Sequence, residues 1–161
     1  MAGPSSTATR AWSRAGLVLA VVVLLDQLTK KLVKDGLDVG EENAVLPAVK
    51  LVHAQNRGVA FSALEGKGAI VSLVIGLAVL GLLVYVARNI ATPYIWLPTG
   101  MLTGGALGNI IDRVRDGAVT DFVKLPAWPA FNVADMAITF GVLALLYVME
   151  RGDGDAADGG S

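Results

Sequence analysis

Residues 68–87 read GAIVSLVIGLAVLGLLVYVA, twenty consecutive positions without a charge between Lys67 and Arg88, and Ser72 is the one hydroxyl in the run besides Tyr85. Crossing about 30 Å of hydrocarbon at about 1.5 Å per residue takes about 20 apolar residues in helical form, so this stretch is long enough to span a bilayer. A further 23 uncharged positions separate Arg88 from Asp112 and make a second clear span. On either side of these two the pattern is shorter. Arg14 and Asp26 bracket 11 residues, AGLVLAVVVLL, and Asp135 and Glu150 bracket 14, MAITFGVLALLYVM. To cross a membrane the first must continue through Asp26-Gln-Leu-Thr-Lys30, and the last must begin before Asp135, near Phe131-Asn132. Each then carries an Asp into the membrane.

The whole chain agrees with this reading. Of 161 residues, 54% are apolar and 17% charged, and the mean hydropathy of +0.61 exceeds that of a soluble domain of this size. A net charge of −1 and a pI near 5.7 leave no basic stripe for nucleic acid. The chain has no cysteine and a single histidine, His53, which excludes a disulfide framework, a thiolate nucleophile, a Cys-ligated zinc and a His-rich metal cage. No metal or other cofactor is expected. Carboxylates, amides, hydroxyls, Arg and Lys remain for chemistry.

Arg10 and Arg14 ahead of an apolar run also fit a cleavable secretory signal, but Asp26-Gln-Leu-Thr-Lys-Lys stands where a small-residue cleavage site belongs, so the run is read as a first span. The expected fold is an all-α membrane protein of four transmembrane helices, with both termini on one side. Loop one, about residues 35–67, contains AVLPAVKLVHAQNRGVAFSAL, whose alternation and β-branched residues predict short strands forming a small platform. A tight turn follows at 88–93 and a third loop at 113–130. Residues 1–12 and 151–161 are expected as disordered polar tails around a single unit, 13–150. Orientation stays open. With the termini inside, the cytoplasmic face holds Arg10, Arg14, Arg88 and Arg151 and the other face holds nine Lys and Arg, so a plain count favours termini outside. Several of those nine are site candidates, and the amino-terminal arginines usually dominate.

The acids are the informative residues. Asp35, Asp38, Glu41 and Glu42 in loop one and Asp153, Asp155 and Asp158 in the tail read as solvated. Asp26, Asp112 and Asp135 lie in or at the ends of apolar spans, and Asp121 sits in Val119-Thr-Asp-Phe-Val123, which reads as a short strand. An ionised Asp at a helix centre costs about 2.5–3.5 kcal/mol on insertion, so such residues face a polar cavity and have a partner. Antiparallel connection of spans three and four puts Asp112, Asp121 and Asp135 on one membrane face. Span one ends there too, with Asp26 and Lys30 at i and i+4 on one helix face. Asn109 and Asn132 each precede an Asp by three residues, and Gly104, Gly105 and Gly108 permit close helix approach.

Two carboxylates held together cannot both ionise freely, so one keeps its proton while the other activates water, which suffices for peptide hydrolysis. A Ser–His pair through His53 lacks any Gly-x-Ser-x-Gly elbow. A proton-coupled transporter would string its acids across the membrane rather than gather them at one face. Spacing alone leaves Asp112 and Asp121 both open as the partner of Asp135, with burial favouring Asp112.

Asp26-Gln-Leu-Thr-Lys30, Asn56-Arg-Gly58-Val-Ala-Phe61, Gly104-Gly-Ala-Leu-Gly-Asn109-Ile-Ile-Asp112-Arg113, Val119-Thr-Asp121-Phe122 and Phe131-Asn132-Val-Ala-Asp135 resemble, in order and spacing, the motif boxes of the bacterial lipoprotein signal peptidase (signal peptidase II) family. The resemblance runs from about residue 13 to 150. It implies an intramembrane aspartic endopeptidase that removes the signal peptide from diacylglyceryl-modified prolipoproteins just before the lipidated Cys. By the family pattern the catalytic pair is Asp121 and Asp135. Asn56, Gly58, Asn109, Arg113 and Asn132 would bind or orient substrate, and Asp26, Lys30 and Asp112 would support the fold, with Arg113 beside Asp112 offering it a partner. The resemblance also implies a monomer in the bacterial cytoplasmic membrane, in contact with membrane lipid, with both termini cytoplasmic and the site at the outer leaflet. Thr120 departs from the family, which often carries Val there.

Overall fold

A computed structural model describes residues 6–57, 77, 80–90 and 92–158. It is mostly helical. Helix α1 (Ser6–Gly36) leads into strands β1 (Glu42–Leu46) and β2 (Val49–Asn56). Helical residues 80–88 (α2) precede α3 (Trp96–Asp116), strand β3 (Val119–Lys124) and α4 (Val133–Asp158). As expected, α1 continues through Asp26 and Lys30, and α4 starts just before Asp135. Helix reaches into both stretches expected as disordered tails, from Ser6 in α1 and to Asp158 in α4. Most of the span read at 68–87, and Gly58, lie outside the described residues.

Helix α3 is the central element, packed against α1 on one side and α4 on the other. Its glycines set the spacing. A Cβ at Gly100 would lie 2.6 Å from Ala15 O and one at Gly104 2.9 Å from Val22 Cβ, both on α1. A Cβ at Gly105 would lie 2.5 Å from Ala134 O on α4, and one at Gly108 2.5 Å from Asp26 Oδ2. Gly100, Gly104 and Gly108 recur every four residues and so form one stripe towards α1, the small-xxx-small pattern of close helix pairs. Helix α3 stops where Gly117 takes φ +73° and returns its N–H to Arg113 O at 3.1 Å, a left-handed cap that a side chain would strain.

The strands form one antiparallel sheet in the order β1-β2-β3. Loop one alone was expected to make the platform; its third strand instead comes from the α3–α4 connection. The β2–β3 register sets Ala54 opposite Asp121 and Asn56 opposite Val119, and Phe131 bridges back to Val123 just before α4. The strand that carries Asp121 is thereby clamped on both sides.

Burial runs opposite to that of a water-soluble domain. Asp26, Lys30, Asp112 and Asn132 are fully buried, while Leu17, Leu24 and Leu28 of α1 and Phe140, Leu143 and Leu146 of α4 are exposed. Among the described residues one helical stretch, Val133–Arg151, is by length and apolarity alone sufficient to cross a membrane, with a mean hydropathy of 1.7.

Candidate active site

Lys30 is the centre of the polar interior. Its Nζ lies 2.8 Å from Asp26 Oδ2, one turn back on α1, and 2.9 Å from Asp112 Oδ2 on α3, with all three side chains out of solvent. It also donates to Asn109 Oδ1 at 3.1 Å. Two carboxylates and an amide oxygen around one ammonium satisfy a charge that would otherwise be prohibitively costly to bury. Each acid then uses its remaining capacity on another element. Asp26 Oδ1 accepts the Ala134 N–H of α4 at 2.9 Å, and Asp112 Oδ2 accepts the Thr120 N–H of β3 at 3.1 Å. The cluster fastens α1, α3, β3 and the start of α4 together.

Gln27, to which the sequence reading gave no role, completes it. Its Nε2 donates to Asp112 Oδ1 at 2.9 Å, and to Gly108 O and Asp26 Oδ2 at 3.2 Å. An amide beside an acid in an otherwise apolar helix was the available signal. Arg113 is not the partner of Asp112, contrary to expectation. Successive helix positions point about 100° apart, and the Arg113 guanidinium donates to Asn109 O at 3.3 Å, within the field of Asp135, Asp121 and, least of the three, Asp112.

The start of α4 is a capping box. Asn132 Oδ1 accepts the Asp135 N–H at 2.9 Å and Asp135 Oδ2 accepts the Asn132 N–H at 3.3 Å, while Asn132 O accepts the first helical bond from Met136 N. Asn132 and Asp135 therefore meet as cap and third helical residue, not as neighbours on a helix face. With its side-chain oxygen used in the cap, Asn132 directs Nδ2 to Asp121 Oδ1 at 2.7 Å, with Asn109 Oδ1 at 3.2 Å and Thr120 O at 3.3 Å also in reach. One asparagine thus joins both acids, Asp135 through its backbone N–H and Asp121 through its amide.

The other oxygens are held as firmly. Asn109 Nδ2 donates to Asp135 Oδ1 at 2.9 Å; its own i+3 acid, Asp112, belongs to Lys30. Asn56, diagonal to Asp121 across the sheet, donates Nδ2 to Asp121 Oδ2 at 3.0 Å. Asp121 is 3% exposed and Asp135 half-buried. Burial pushes the Asp121 carboxyl up to about 6, against the amides of Asn56 and Asn132, and the charge of Asp135 adds to the rise.

Among the described residues no buried side-chain nitrogen or oxygen lacks a partner, and no three His, Cys, Asp or Glu converge as a metal site. His53 holds Leu37 O through Nδ1 at 2.8 Å, linking β2 to the end of α1. The expected residues Asp26, Lys30, Asn56, Asn109, Asp112, Arg113, Asp121, Asn132 and Asp135 are brought into one network.

A family model described as Signal peptidase (SPase) II matches residues 18–150. A protein named lipoprotein signal peptidase from Halothermothrix orenii is 36% identical over 137 residues, covering 84% of this chain and 94% of its own. Another of that name from Moorella thermoacetica is 39% identical over 134 residues, covering 81% and 89%. A solved structure of a bacterial membrane enzyme, obtained by the in meso method at 1.9 Å, superposes with a TM-score of 0.76 at 30% identity, covering 84% of this chain and 91% of its own. A second, at 2.3 Å, gives 0.77 at 28% identity, covering 88% and 90%.

Proposed function

The chain belongs to the signal peptidase II family, and from that membership we propose that it removes signal peptides from diacylglyceryl-modified prolipoproteins, cutting just before the lipidated Cys with Asp121 and Asp135 as an aspartic pair. The observation that carries this reading is Asn132 bound to both carboxylates at once, 2.7 Å from Asp121 Oδ1 and 3.3 Å from Asp135 Oδ2. It ties both acids to one residue, and each of their four oxygens accepts one hydrogen bond from Asn132, Asn56 or Asn109.

Burial pushes the Asp121 carboxyl up to about 6, and in the proposed step Asp121 serves as the acid and Asp135 as the base. The Asp135 carboxylate takes a proton from water, whose oxygen attacks the scissile carbonyl carbon, while Asp121 gives its proton to the carbonyl oxygen. The tetrahedral diol collapses as Asp135 passes its proton to the leaving nitrogen and Asp121 regains one from the diol. The C–N bond breaks, releasing a signal peptide carboxylic acid, which then ionises in water, and the lipoprotein's amino-terminal Cys. Asn56 and Asn109 orient the acids, Arg113 faces the substrate, and Gly58 is assigned to substrate binding from the family motif alone. Asp26, Lys30 and Asp112 support the pair through the contacts that fix Ala134, Thr120 and Asn109. No step calls for a metal or cofactor.

The unit spans residues 13–150 of a multi-pass protein in the bacterial cytoplasmic membrane, with membrane lipid against the exposed leucines of α1 and α4, both termini cytoplasmic and the pair at the outer leaflet. Burial of Lys30 removes one charge from the nine of the outer face and leaves the raw count against this orientation, which rests on the family instead. Under this reading the protein works as a monomer. The test is a gel-shift assay in detergent. A diacylglyceryl-modified precursor should be cut without gradient, thiol or metal, and its unlipidated form left intact. Cleavage of both alike, or loss of activity with chelator and recovery with zinc, would refute the proposal. A reporter after Arg151 on the outer side, with one at Gly40 inside, would refute the orientation.

A further inference from the structure

The end of the bundle remote from Asp121 and Asp135 has its own cavity. It measures about 540 Å³ and lies between the residues leading into α3, from Thr92, and the last turns of the apolar part of α4. Leu97, Ala144 and Val148 give it an apolar floor, and Tyr94, Tyr147 and Arg151 stand on its lining. Arg151 follows Asp135 by sixteen positions, about 24 Å along a helix axis. It is also the last residue of the stretch long and apolar enough to cross a membrane.

Three observations give this cavity a chemistry. The Arg151 guanidinium lies 5.5 Å from the centroid of the Tyr147 ring, so the cation is held on an aromatic face with its N–H edges open. Among the described residues no carboxylate forms an ion pair with Arg151, although eight ion pairs occur elsewhere among them. Tyr94 takes φ +64°, a left-handed conformation that costs a bulky residue about 1–3 kcal/mol and that persists where its surroundings require it. Its ring is exposed. Tyrosines at a membrane boundary supply an apolar body with a polar tip at headgroup level. An apolar slot, two phenolic hydroxyls and one guanidinium match a phosphate diester joined to an acyl chain.

We propose that this cavity binds an anionic phospholipid of the leaflet opposite the catalytic pair, with the headgroup phosphate on Arg151 and the two tyrosines and an acyl chain along Leu97, Ala144 and Val148. The proposal rests on the placement of α3 and α4 in the membrane given above, and it assigns a ligand site separate from that of the precursor. Free phosphate would use the cation and leave the apolar slot unfilled, so the bilayer lipid is the occupant.

Native mass spectrometry of the full chain in neutral detergent tests this, with phosphatidylglycerol and phosphatidylcholine of identical acyl chains. The wild type should retain phosphatidylglycerol about fivefold better, the preference expected of one basic residue at an anionic surface. Arg151→Gln should bind the two lipids equally. Ala144→Phe, which fills the slot and leaves the cation, should weaken both, and inorganic phosphate should not displace bound lipid. Equal retention by the wild type, the result if the acidic residues 153, 155 and 158 already neutralise Arg151, would overturn the site. So would an unchanged preference in Arg151→Gln, or displacement by phosphate. Cleavage of lipidated precursor by Arg151→Gln reports separately: a wild type that prefers phosphatidylglycerol but cuts no precursor refutes the peptidase reading and leaves this site standing.

Discussion

Replacing Asp121 by Asn changes the pH dependence of stability in a way that follows from its burial. The carboxyl is raised from its ordinary 3.8 to about 6, chiefly because the ionised form loses hydration. A folded acid with a raised pKa still holds its proton where the unfolded chain has released it. Its contribution is therefore fully present below the unfolded value and is lost as pH rises through about 6. Two pH units at 1.36 kcal/mol each amount to about 3 kcal/mol lost between pH 4 and pH 7. Asn does not ionise and loses nothing there. It does carry a pH-independent cost of about 1–3 kcal/mol, because Asn56 and Asn132 both donate to Asp121 and one of them would meet an NH2 group. The variant should be the less stable protein near pH 4 and equal or more stable near pH 7. Melting in detergent at pH 4.5, 5.5 and 7 reads this, at about 2–4 °C per kcal/mol for a chain of this size. Asp135 loses a charged neighbour in the variant, so the comparison reads the pair, while the acids away from the site are unchanged and cancel. Parallel wild-type and variant profiles would refute the assignment of a buried, proton-holding Asp121.

Two further substitutions probe the supporting network. Asp112→Asn removes a buried partner of Lys30 and weakens the Thr120 contact, which should cost about 3 kcal/mol in detergent melting while folded molecules keep some single-turnover cleavage. Gly108→Ala would put a methyl 2.5 Å from Asp26 Oδ2 and push that carboxylate off Lys30 and Ala134 N, for a loss of about 1–3 kcal/mol and slower cleavage per folded molecule. A stable Gly108→Ala protein with wild-type rate would show that the placement of Asp26 does not bear on the site.

Much of this was legible in the residues, because lipid imposes simple rules. A charge interrupting an apolar run must be satisfied, so Asp26, Lys30 and Asp112 announced an interior partner, and the i to i+4 spacing paired Asp26 with Lys30 correctly. The α4 start near Asn132 followed from the length an apolar span needs. What stayed hidden depends on contacts between distant segments. Asn56 and Asp121 are 65 positions apart, and nothing in the periodicity of loop one sets its register against β3. The Asp112–Arg113 pairing failed because sequence neighbours on a helix face different directions, and Lys30, 82 positions away, takes that place. The local reading of Asn132 as a face-sharing neighbour of Asp135 missed the cap, which frees its amide for Asp121. Spacing left Asp112 and Asp121 open as partners of Asp135; Asp112 is engaged by Lys30, Gln27, Thr120 and Arg115, while Asp121 shares Asn132 with Asp135, which supports the proposed pair.

The central claim is that Asp121 and Asp135 act as one unit, and single-turnover cleavage of a lipidated precursor by Asp121→Asn, Asp135→Asn and the double variant tests it most directly. If one carboxyl is useless without the other, all three proteins should bind substrate, remain folded and fall to the same residual rate, since residues that share a step are non-additive. A double variant slower than both singles by the product of their separate losses, or an Asp121→Asn protein that still turns over beside a folded and inactive Asp112→Asn, would contradict it.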